Sequence, residues 1–140
     1  MVKYWIFVSV PYTDFNTGSI YKVFGMIRGS GKWPIGKKTL HRNELSENDK
    51  VLFYQGGEGG KKIVGGAELA SSLIRDENNI FDFVIIRNIK LWEKPVEIKT
   101  VLEELSFIIN KMYWGLYLQG GVIKIPEKDY KVILTKAGKN

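Results

Sequence analysis

The sequence predicts an α+β fold, a small, strongly bent and partly open β-barrel of five or six strands with short flanking helices. Short runs rich in β-branched and aromatic residues recur between turn residues, as is typical of strands. Only scattered short stretches have helical spacing. The chain also contains 15 glycines among 140 residues, which provide the tight turns and bends of such a sheet.

Size and composition indicate a single globular domain over residues 1–140. Hydrophobic residues make up 44% of the chain and aromatic residues 13%, which excludes a disordered protein. No apolar run approaches the ~18 residues of a membrane helix, and the N-terminus lacks the cleavage site of a secretory signal. The absence of cysteine excludes disulfides and thiolate zinc sites. We therefore expect a soluble cytoplasmic protein that does not bind membranes.

The clearest structural signal is a hairpin in the middle of the chain. Residues 51–54 predict a strand, the glycine-rich residues 55–61 predict its loop, and residues 62–69 predict the second strand. Gly65 and Gly66 lie inside that second strand, where glycine weakens pairing unless it forms a bulge or allows close approach. The approaching group is either another backbone or a flat ligand, so this pair is a first candidate for a site.

The N-terminal third contains a central strand followed by less regular segments. Residues 4–10 are apolar on both faces, which predicts a strand in the middle of a sheet, and Pro11 ends it. A short helix is predicted over 17–25, and the composition of 28–34 predicts a loop. Residues 37–45 have the spacing of one or two helical turns.

The C-terminal half begins with the longest predicted strand. Residues 81–92 alternate between apolar and polar side chains, and Pro95 is expected to end the strand. Thr100 and Glu103 have the spacing of a capping box, which predicts the start of a helix. Residues 113–118 resemble a strand.

Two further elements are expected near the C-terminus. Residues 122–125 predict a strand after a turn at Gln119, Gly120 and Gly121. Pro126 suits the first position of a helix over 127–134, because its missing N–H is not needed there.

The charge distribution favours a polyanionic partner. The net charge is +6 and the isoelectric point is near 9.4. Residues 28–43 contain no acidic side chain, and a run of this kind is often only a solvated face. Trp33 within the run favours phosphate binding instead. The candidate phosphate-binding residues are Arg28, Lys32, Lys37, Lys38 and Arg42.

The same sequence excludes several kinds of chemistry. His41 is the single histidine and there is no cysteine, so a catalytic triad or a metal site has little support. Lys61 is followed by Lys62, where a P-loop requires Ser or Thr. We expect no metal and no cofactor.

Aromatic residues beside positive charge are the remaining signal. Trp5 and Trp92 are expected in the core, where most tryptophans lie. Trp33 lies in a basic, glycine-containing loop and is expected to line a pocket with Tyr54 and Trp114. Flat aromatic side chains stack on nucleobases for about 1–3 kcal/mol per base, while nearby lysines hold phosphates.

Several blocks of the sequence, in order and over nearly the whole chain, resemble EVE-domain proteins in their archaeal-type single-domain form. The blocks are KYWIF at 3–7 with Ser9 and Pro11, the isolated Trp33, NDKVLFY at 48–54, IVGGAEL at 63–69, and YWGLYLQG at 113–120 followed by IPEKDY. EVE domains belong to the PUA-like superfamily with PUA, ASCH and YTH domains. The resemblance therefore implies the PUA-like barrel, in agreement with the strand pattern.

The resemblance also implies a non-enzymatic module that binds a modified base of DNA or RNA, flipped into an aromatic pocket. By order along the chain, Ser9 and Trp33 match pocket positions of related YTH domains, Phe81 is the candidate for the second wall, and Pro34 follows the tryptophan but lacks an N–H donor. The full set of candidate pocket residues is Ser9, Trp33, Pro34, Tyr54, Gly65, Gly66, Phe81 and Trp114.

Two alternatives remain open at this stage. ASCH relatives include hydrolases of modified nucleosides, and Gly36 and Lys38 fit their signature, but His41 and Asn43 occupy its acid and arginine positions. Without that carboxylate the obvious general base is missing. The second alternative is a protein-interaction or oligomerisation domain with Trp33 at the interface. The modification, the choice of DNA or RNA and the oligomeric state are also left open.

Overall fold

The computed structural model describes residues 1–9, 30–57 and 60–139. These residues contain six strands and a C-terminal α-helix, Glu127–Ala137. The strands are β1 (Tyr4–Ser9), β2 (Lys32–Gly36), β3 (Lys50–Gln55), β4 (Lys62–Leu69), β5 (Phe81–Glu97) and β6 (Val122–Ile125). The 3-10 helices are Arg42–Glu44, Ile98–Thr100, Leu102–Glu104 and Lys111–Leu118, the last of which we call the 3-10 segment.

The six strands form one curled sheet in the order β2-β5-β4-β3-β1-β6. Strands β1 and β3 are parallel, and the other neighbouring pairs are antiparallel. The 17-residue β5 pairs with β2 through its first residues and with β4 through the rest, so it bends from one part of the sheet to the other. The predicted α+β class with a bent, partly open barrel is confirmed.

The sheet separates two apolar cores. Because side chains alternate along a strand, Trp5 and Phe7 of β1 enter one core and Ile6 enters the other. Strand β2 and part of β5 curl over the first core. The C-terminal helix and the 3-10 turns cover the second. Trp5 and Trp92 are both buried, as predicted.

The strongest local signals are confirmed. Strands β3 and β4 form the predicted hairpin, and Lys61 N donates to Gln55 O (2.7 Å) where the strands meet the loop. Strands β1 and β6 lie where expected, and the final helix is three residues longer than predicted. The helix predicted over 17–25 falls outside the described residues.

The prediction of a loop over 28–34 is wrong for its last residues, because β2 begins at Lys32. Trp33 and Ile35 alternate inward on this strand. Pro34 is tolerated because β2 lies at the edge of the sheet that the described strands form, and proline is accepted at edge positions because its missing N–H need not pair with a strand. In place of the helical turns predicted over 37–45 there is the short 3-10 helix at 42–44.

Pro95 does not end β5, which continues to Glu97. Among the described strands only β4 pairs with this half of β5, and such an edge position is where a sheet accepts a proline. The helix predicted from Thr100 is also wrong. The Thr100 hydroxyl donates back to Glu97 O (2.7 Å), and the chain forms two single 3-10 turns.

The strand predicted over 113–118 is instead the 3-10 segment. Its first turn is capped by Asn110, whose side-chain oxygen accepts a hydrogen bond from Met112 N (3.1 Å). This side-chain hydrogen bond satisfies a backbone N–H that would otherwise need another partner, such as a neighbouring strand. Within the described residues, no helix is both long and apolar enough to cross a bilayer.

Gly65 lies where the backbone of β5 passes close to β4. A Cβ built on Gly65 would lie 2.2 Å from Lys90 O, far inside contact distance, and the pairing register shifts on both sides of this glycine. The group that approaches the glycine pair is therefore another backbone. This position in the middle of the sheet also removes Gly65 from the candidate pocket.

We expect Gly65→Ala to lower the free energy of unfolding by about 1–3 kcal/mol or more, because a backbone carbonyl must move to admit the methyl group. Gly115→Ala is the matched control, since its Cβ would meet nothing within 4 Å, and it is expected to stay within about 0.5 kcal/mol of the parent. Urea unfolding followed by circular dichroism measures both. Equal midpoints for Gly65→Ala and the parent would contradict this account of the bulge.

Candidate functional site

A groove of about 760 Å³ lies where β1 and β3 end, and we call it the end groove. Tyr54, Leu118 and Trp114 provide its apolar and aromatic wall. The glycine turn at Gly120–Gly121 forms another side. Lys61 and Lys99 also line it, and none of the described lining residues carries a carboxylate.

Tyr54 is held at the end of β3 with its ring in the second core. Only 5% of the residue is exposed, so the ring position is set by packing. Burial raises the pKa of the Tyr54 phenol above its ordinary value, which already lies well above physiological pH, so the hydroxyl is neutral. A neutral phenol donates and accepts hydrogen bonds, as recognition of a polar ring requires.

Trp114 is positioned by the 3-10 segment. Asn110 holds both ends of this segment, because its side chain accepts from Met112 N and its N–H donates to the Tyr117 hydroxyl (3.1 Å). Trp114 packs partly against the second core and lines the groove. The neighbouring Gly115 faces open space, so a ligand has room beside the indole.

The turn after the 3-10 segment requires two glycines. Gly120 has φ +99° and Gly121 has φ +86°, a region that side chains other than glycine strongly disfavour. Gly121 O accepts a hydrogen bond from Val8 N (2.9 Å), which fastens the turn to the end of β1. This side of the groove is therefore backbone without side chains, held in a defined position.

The two lysines of the end groove are brought together by backbone contacts. Ile98 N donates to Lys61 O (3.1 Å), which places the hairpin loop beside the residue preceding Lys99. Two ammonium groups beside an aromatic wall suit a flat ring that carries an anionic group. Among the residues that the structure describes, no cluster of His, Cys, Asp or Glu could hold a metal ion.

Trp33, which the sequence places in a pocket, lies in the first core and is 5% exposed. Its ring centroid is 5.0 Å from that of Phe53 and 5.7 Å from that of Phe7. Phe53 and Tyr54 are consecutive in β3 and point to opposite faces. Trp33 and Tyr54 therefore enter different cores, and they do not share the predicted pocket.

The other predicted pocket residues are also divided. Ser9 lies at the end of β1, where its carbonyl accepts from Gly56 N (2.8 Å) beside the end groove. By strand alternation its side chain points to the face of Phe7. Gly66 pairs with Leu52 in the interior of the sheet, away from the groove. Of the eight candidates, only Tyr54 and Trp114 line the end groove.

Pro34 and Phe81 meet elsewhere, in a shallow depression of about 230 Å³ on β2 and β5. Lys32 also lines it, with Nζ 4.7 Å from the centroid of the Phe83 ring. Asp76 and Asp82 also line this depression, so it lacks the uniformly basic character expected of a phosphate-binding site.

The predicted phosphate-binding residues do not form one surface. Lys37 Nζ donates to Asp76 O (2.7 Å) and lies 3.4 Å from Asp82 Oδ1. A hydrogen bond from Asp76 N and the Lys37 ammonium lower the pKa of Asp82, in keeping with a structural ion pair. Arg42 is half-buried and donates to Thr39 O (3.3 Å).

Lys32 and Lys38 are exposed at separate places, and Arg28 lies outside the described residues. The acid-free run is misleading at Lys37, because its acidic partner Asp82 comes from a distant part of the chain. Lys61 and Lys99 also line the end groove, but they are not among the residues that the sequence predicts for the site. The position of Lys61 in the glycine-rich loop could have indicated a site residue, whereas no local sequence feature indicates Lys99.

Comparison with known proteins decides the family. The sequence profile of the EVE domain matches residues 3–136. The chain belongs to the EVE domain family. A UPF0310 protein of Pyrococcus abyssi is 32% identical over 128 residues, covering 77% of this chain and 87% of the relative. The resemblance inferred from the sequence blocks is confirmed.

Solved structures share the fold of this EVE domain at low identity. Protein Atu2648 of Agrobacterium tumefaciens is 20% identical with a TM-score of 0.70, over 98% of this chain and 94% of that one. Human THYN1, solved in complex with 5-methylcytosine-containing DNA, is 10% identical with a TM-score of 0.67, over 99% of both chains. The predicted PUA-like fold is confirmed.

Proposed function

We propose that this EVE domain is a non-enzymatic module that binds DNA or RNA and holds one flipped, modified base in the end groove. The observation that carries the proposal is the end groove itself, in which Tyr54 and Trp114 lie beside Lys61 and Lys99 with no carboxylate among the described lining residues. The structure of human THYN1 with 5-methylcytosine DNA supports the choice of ligand.

In this proposal the indole of Trp114 stacks on the base. Extruding a base from its stack costs a few kcal/mol, and less where the strand is already single or the base is modified. Stacking on an aromatic side chain returns about 1–3 kcal/mol. The buried Tyr54 hydroxyl and the bare backbone of Gly120–Gly121 are available to the polar edge of the base.

Lys61 and Lys99 supply the attraction for the phosphates next to that base. Charge contacts of this kind give affinity without reading sequence, and they weaken as salt is added. Selection of the modification then depends on how the added group fits beside Trp114, on the side left open by Gly115.

The chemistry of the groove supports binding rather than hydrolysis. A hydrolase of modified nucleosides needs a general base beside the reacting atom, and the described lining residues supply no acid and no histidine. His41, at the acid position of the ASCH signature, lies instead in a surface pair with Glu44 (Nδ1 to Oε2, 2.6 Å).

The test is fluorescence anisotropy with a labelled single-stranded 12-mer that carries one 5-methylcytosine, against the same oligonucleotide with cytosine. We expect tighter binding of the methylated strand, and an affinity about 5- to 150-fold lower for Trp114→Ala, which corresponds to the loss of about 1–3 kcal/mol of stacking. Tyr113→Ala is the matched control, because Tyr113 is the adjacent exposed aromatic residue and does not line the groove.

Unchanged binding of the methylated strand by Trp114→Ala would overturn the placement of the base. Equal affinity for both oligonucleotides, together with a steep loss of binding as salt is added, would show that the protein binds only the phosphate backbone. That result would overturn recognition of this modification. An RNA strand of the same sequence in the same titration decides between the two nucleic acids.

A further inference from the structure

A second groove, of about 410 Å³, adjoins the end groove, and we call it the side groove. The two grooves share Gln119 and Gly120, so they meet at the turn that contains these residues. A Cβ on Gly120 would meet nothing within 4 Å, and the turn therefore presents no side-chain barrier at this residue. A chain lying across the turn can occupy both grooves.

The side groove has aromatic rings held in fixed positions. The Tyr117 hydroxyl accepts a hydrogen bond from Asn110 N (3.1 Å). Phe107 N donates to Asp129 Oδ2 (2.8 Å), and Asp129 is completely buried at the start of the C-terminal helix. Both aromatic residues line the groove and both are half-buried, so each has ring surface available for contact.

Positive charge flanks this groove as well. Lys38 is exposed, and Lys124 Nζ lies 3.2 Å from Glu44 Oε1. Glu44 also pairs with His41, and hydrogen bonds from His41 and Lys124 lower the pKa of its carboxyl. Side-chain exposures in these pairs are 44–50%, and solvent-exposed pairs of this kind contribute little to stability. A phosphate can therefore replace Glu44 at the Lys124 ammonium at small cost.

We infer that the side groove binds the nucleotide adjacent to the base in the end groove, and that a single strand crosses the turn at Gly120. This inference rests on the proposed function. It follows from three shared properties of the two grooves: each has aromatic surface, each has two lysines among its described lining residues, and they meet at a backbone turn. Proteins that bind single strands without sequence preference combine aromatic stacking surfaces with a positively charged path along the nucleic-acid backbone.

The test compares a mononucleotide, 5-methyl-dCMP, with a single-stranded hexamer that contains the same base. We expect the double variant Lys38→Gln/Lys124→Gln to bind the mononucleotide as the parent does and the hexamer about 10-fold more weakly. Its slope of log affinity against log salt should fall by about 0.7–1.4, since each lost phosphate contact on a single strand contributes about 0.7. Glu44→Gln should strengthen hexamer binding, because it removes the competing carboxylate.

Lys128→Gln/Lys136→Gln is the matched control, with the same charge change on the exposed side of the C-terminal helix. Parent-like hexamer binding and salt slope in the Lys38/Lys124 variant would overturn the side-groove site, while Trp114→Ala would still weaken the mononucleotide if the proposed function is correct. Equal loss of hexamer binding in both double variants would also overturn it, since only net charge would then matter. Failure of the parent to bind either ligand would overturn the proposed function itself.

Discussion

Trp33→Ala is expected to lower the free energy of unfolding by about 3–5 kcal/mol, the usual cost of removing a buried tryptophan side chain. The indole is 5% exposed and packs between the rings of Phe7 and Phe53, so alanine leaves a large apolar cavity between β2 and the rest of the sheet. Urea unfolding monitored by circular dichroism measures the loss, with Trp33→Phe expected to restore part of it.

Trp114→Ala is the matched tryptophan variant, because its side chain is only half-buried and faces the end groove. We expect the two variants to separate, with Trp33→Ala mainly losing stability and Trp114→Ala mainly losing base binding. A Trp33→Ala protein with the parent's unfolding midpoint and reduced affinity for the modified base would reverse this assignment and return Trp33 to the pocket.

Asp49→Ala is the second substitution with a large expected effect, again about 3–5 kcal/mol of unfolding free energy. Asp49 is 1% exposed, and its carboxylate accepts hydrogen bonds from Lys3 N (3.0 Å), Trp5 Nε1 (2.9 Å) and Ser46 N (3.0 Å). The Lys3 ammonium lies 3.6 Å away. Alanine leaves these donors without their acceptor, and a buried unpaired donor costs about 1–3 kcal/mol.

Asp49→Asn distinguishes the hydrogen bonds from simple packing. The amide keeps the shape but has one acceptor oxygen, whereas Lys3 N uses one carboxylate oxygen and Trp5 Nε1 and Ser46 N use the other. We therefore expect an intermediate loss. The exposed Glu47→Ala is the control and should stay within about 0.5 kcal/mol of the parent.

A double-mutant cycle with Trp5→Phe isolates the bond to the indole, and a coupling energy of about 0.5–3 kcal/mol is expected between the two sites. Thermal unfolding of the four proteins provides it. A cost below about 1 kcal/mol for Asp49→Ala would show that water satisfies these donors and that the carboxylate does not organise the start of β1 and β3.

The parts of the fold that were predicted correctly have local causes. The hairpin of β3 and β4 follows from a β-branched and aromatic run, a glycine loop and a second such run, all within twenty residues. The C-terminal helix follows from Pro126 and the residues after it. In both cases the deciding interactions are between sequence neighbours, so propensity and turn chemistry are sufficient.

The errors have non-local causes. Pro95 is accommodated because, among the described strands, only β4 pairs with that half of β5, since pairing with β2 stops at Ile85, opposite Lys32 where β2 begins. The run at 113–118 has strand-like composition, but it forms the 3-10 segment because the Asn110 cap and the burial of Leu118 fix it there. The intrinsic strand preference of these residues is small, so the cap and the burial of Leu118 override it.

The sequence indicates only some of the residues that line the end groove. Aromatic residues beside positive charge indicated nucleic-acid binding, and Tyr54 and Trp114 do meet in one groove. The sequence predicts phosphate binding for Lys37 because no acid is near it along the chain, whereas the fold brings Asp82 to it. Which charges remain available is decided by partners about forty residues away.

The sequence by itself determined the family, the strand-rich class, the hairpin and the final helix, because each depends on residue identities over short or ordered stretches. Only the tertiary structure decided that Trp33 enters the core, that Tyr54 and Trp114 meet, and that Lys61 and Lys99 flank them. Alternation along a strand predicts that neighbouring side chains lie on opposite faces of the sheet, but it does not predict which face a distant element will cover. Which face is covered depends on contacts across the curled sheet, and those contacts involve elements that are far apart in the chain.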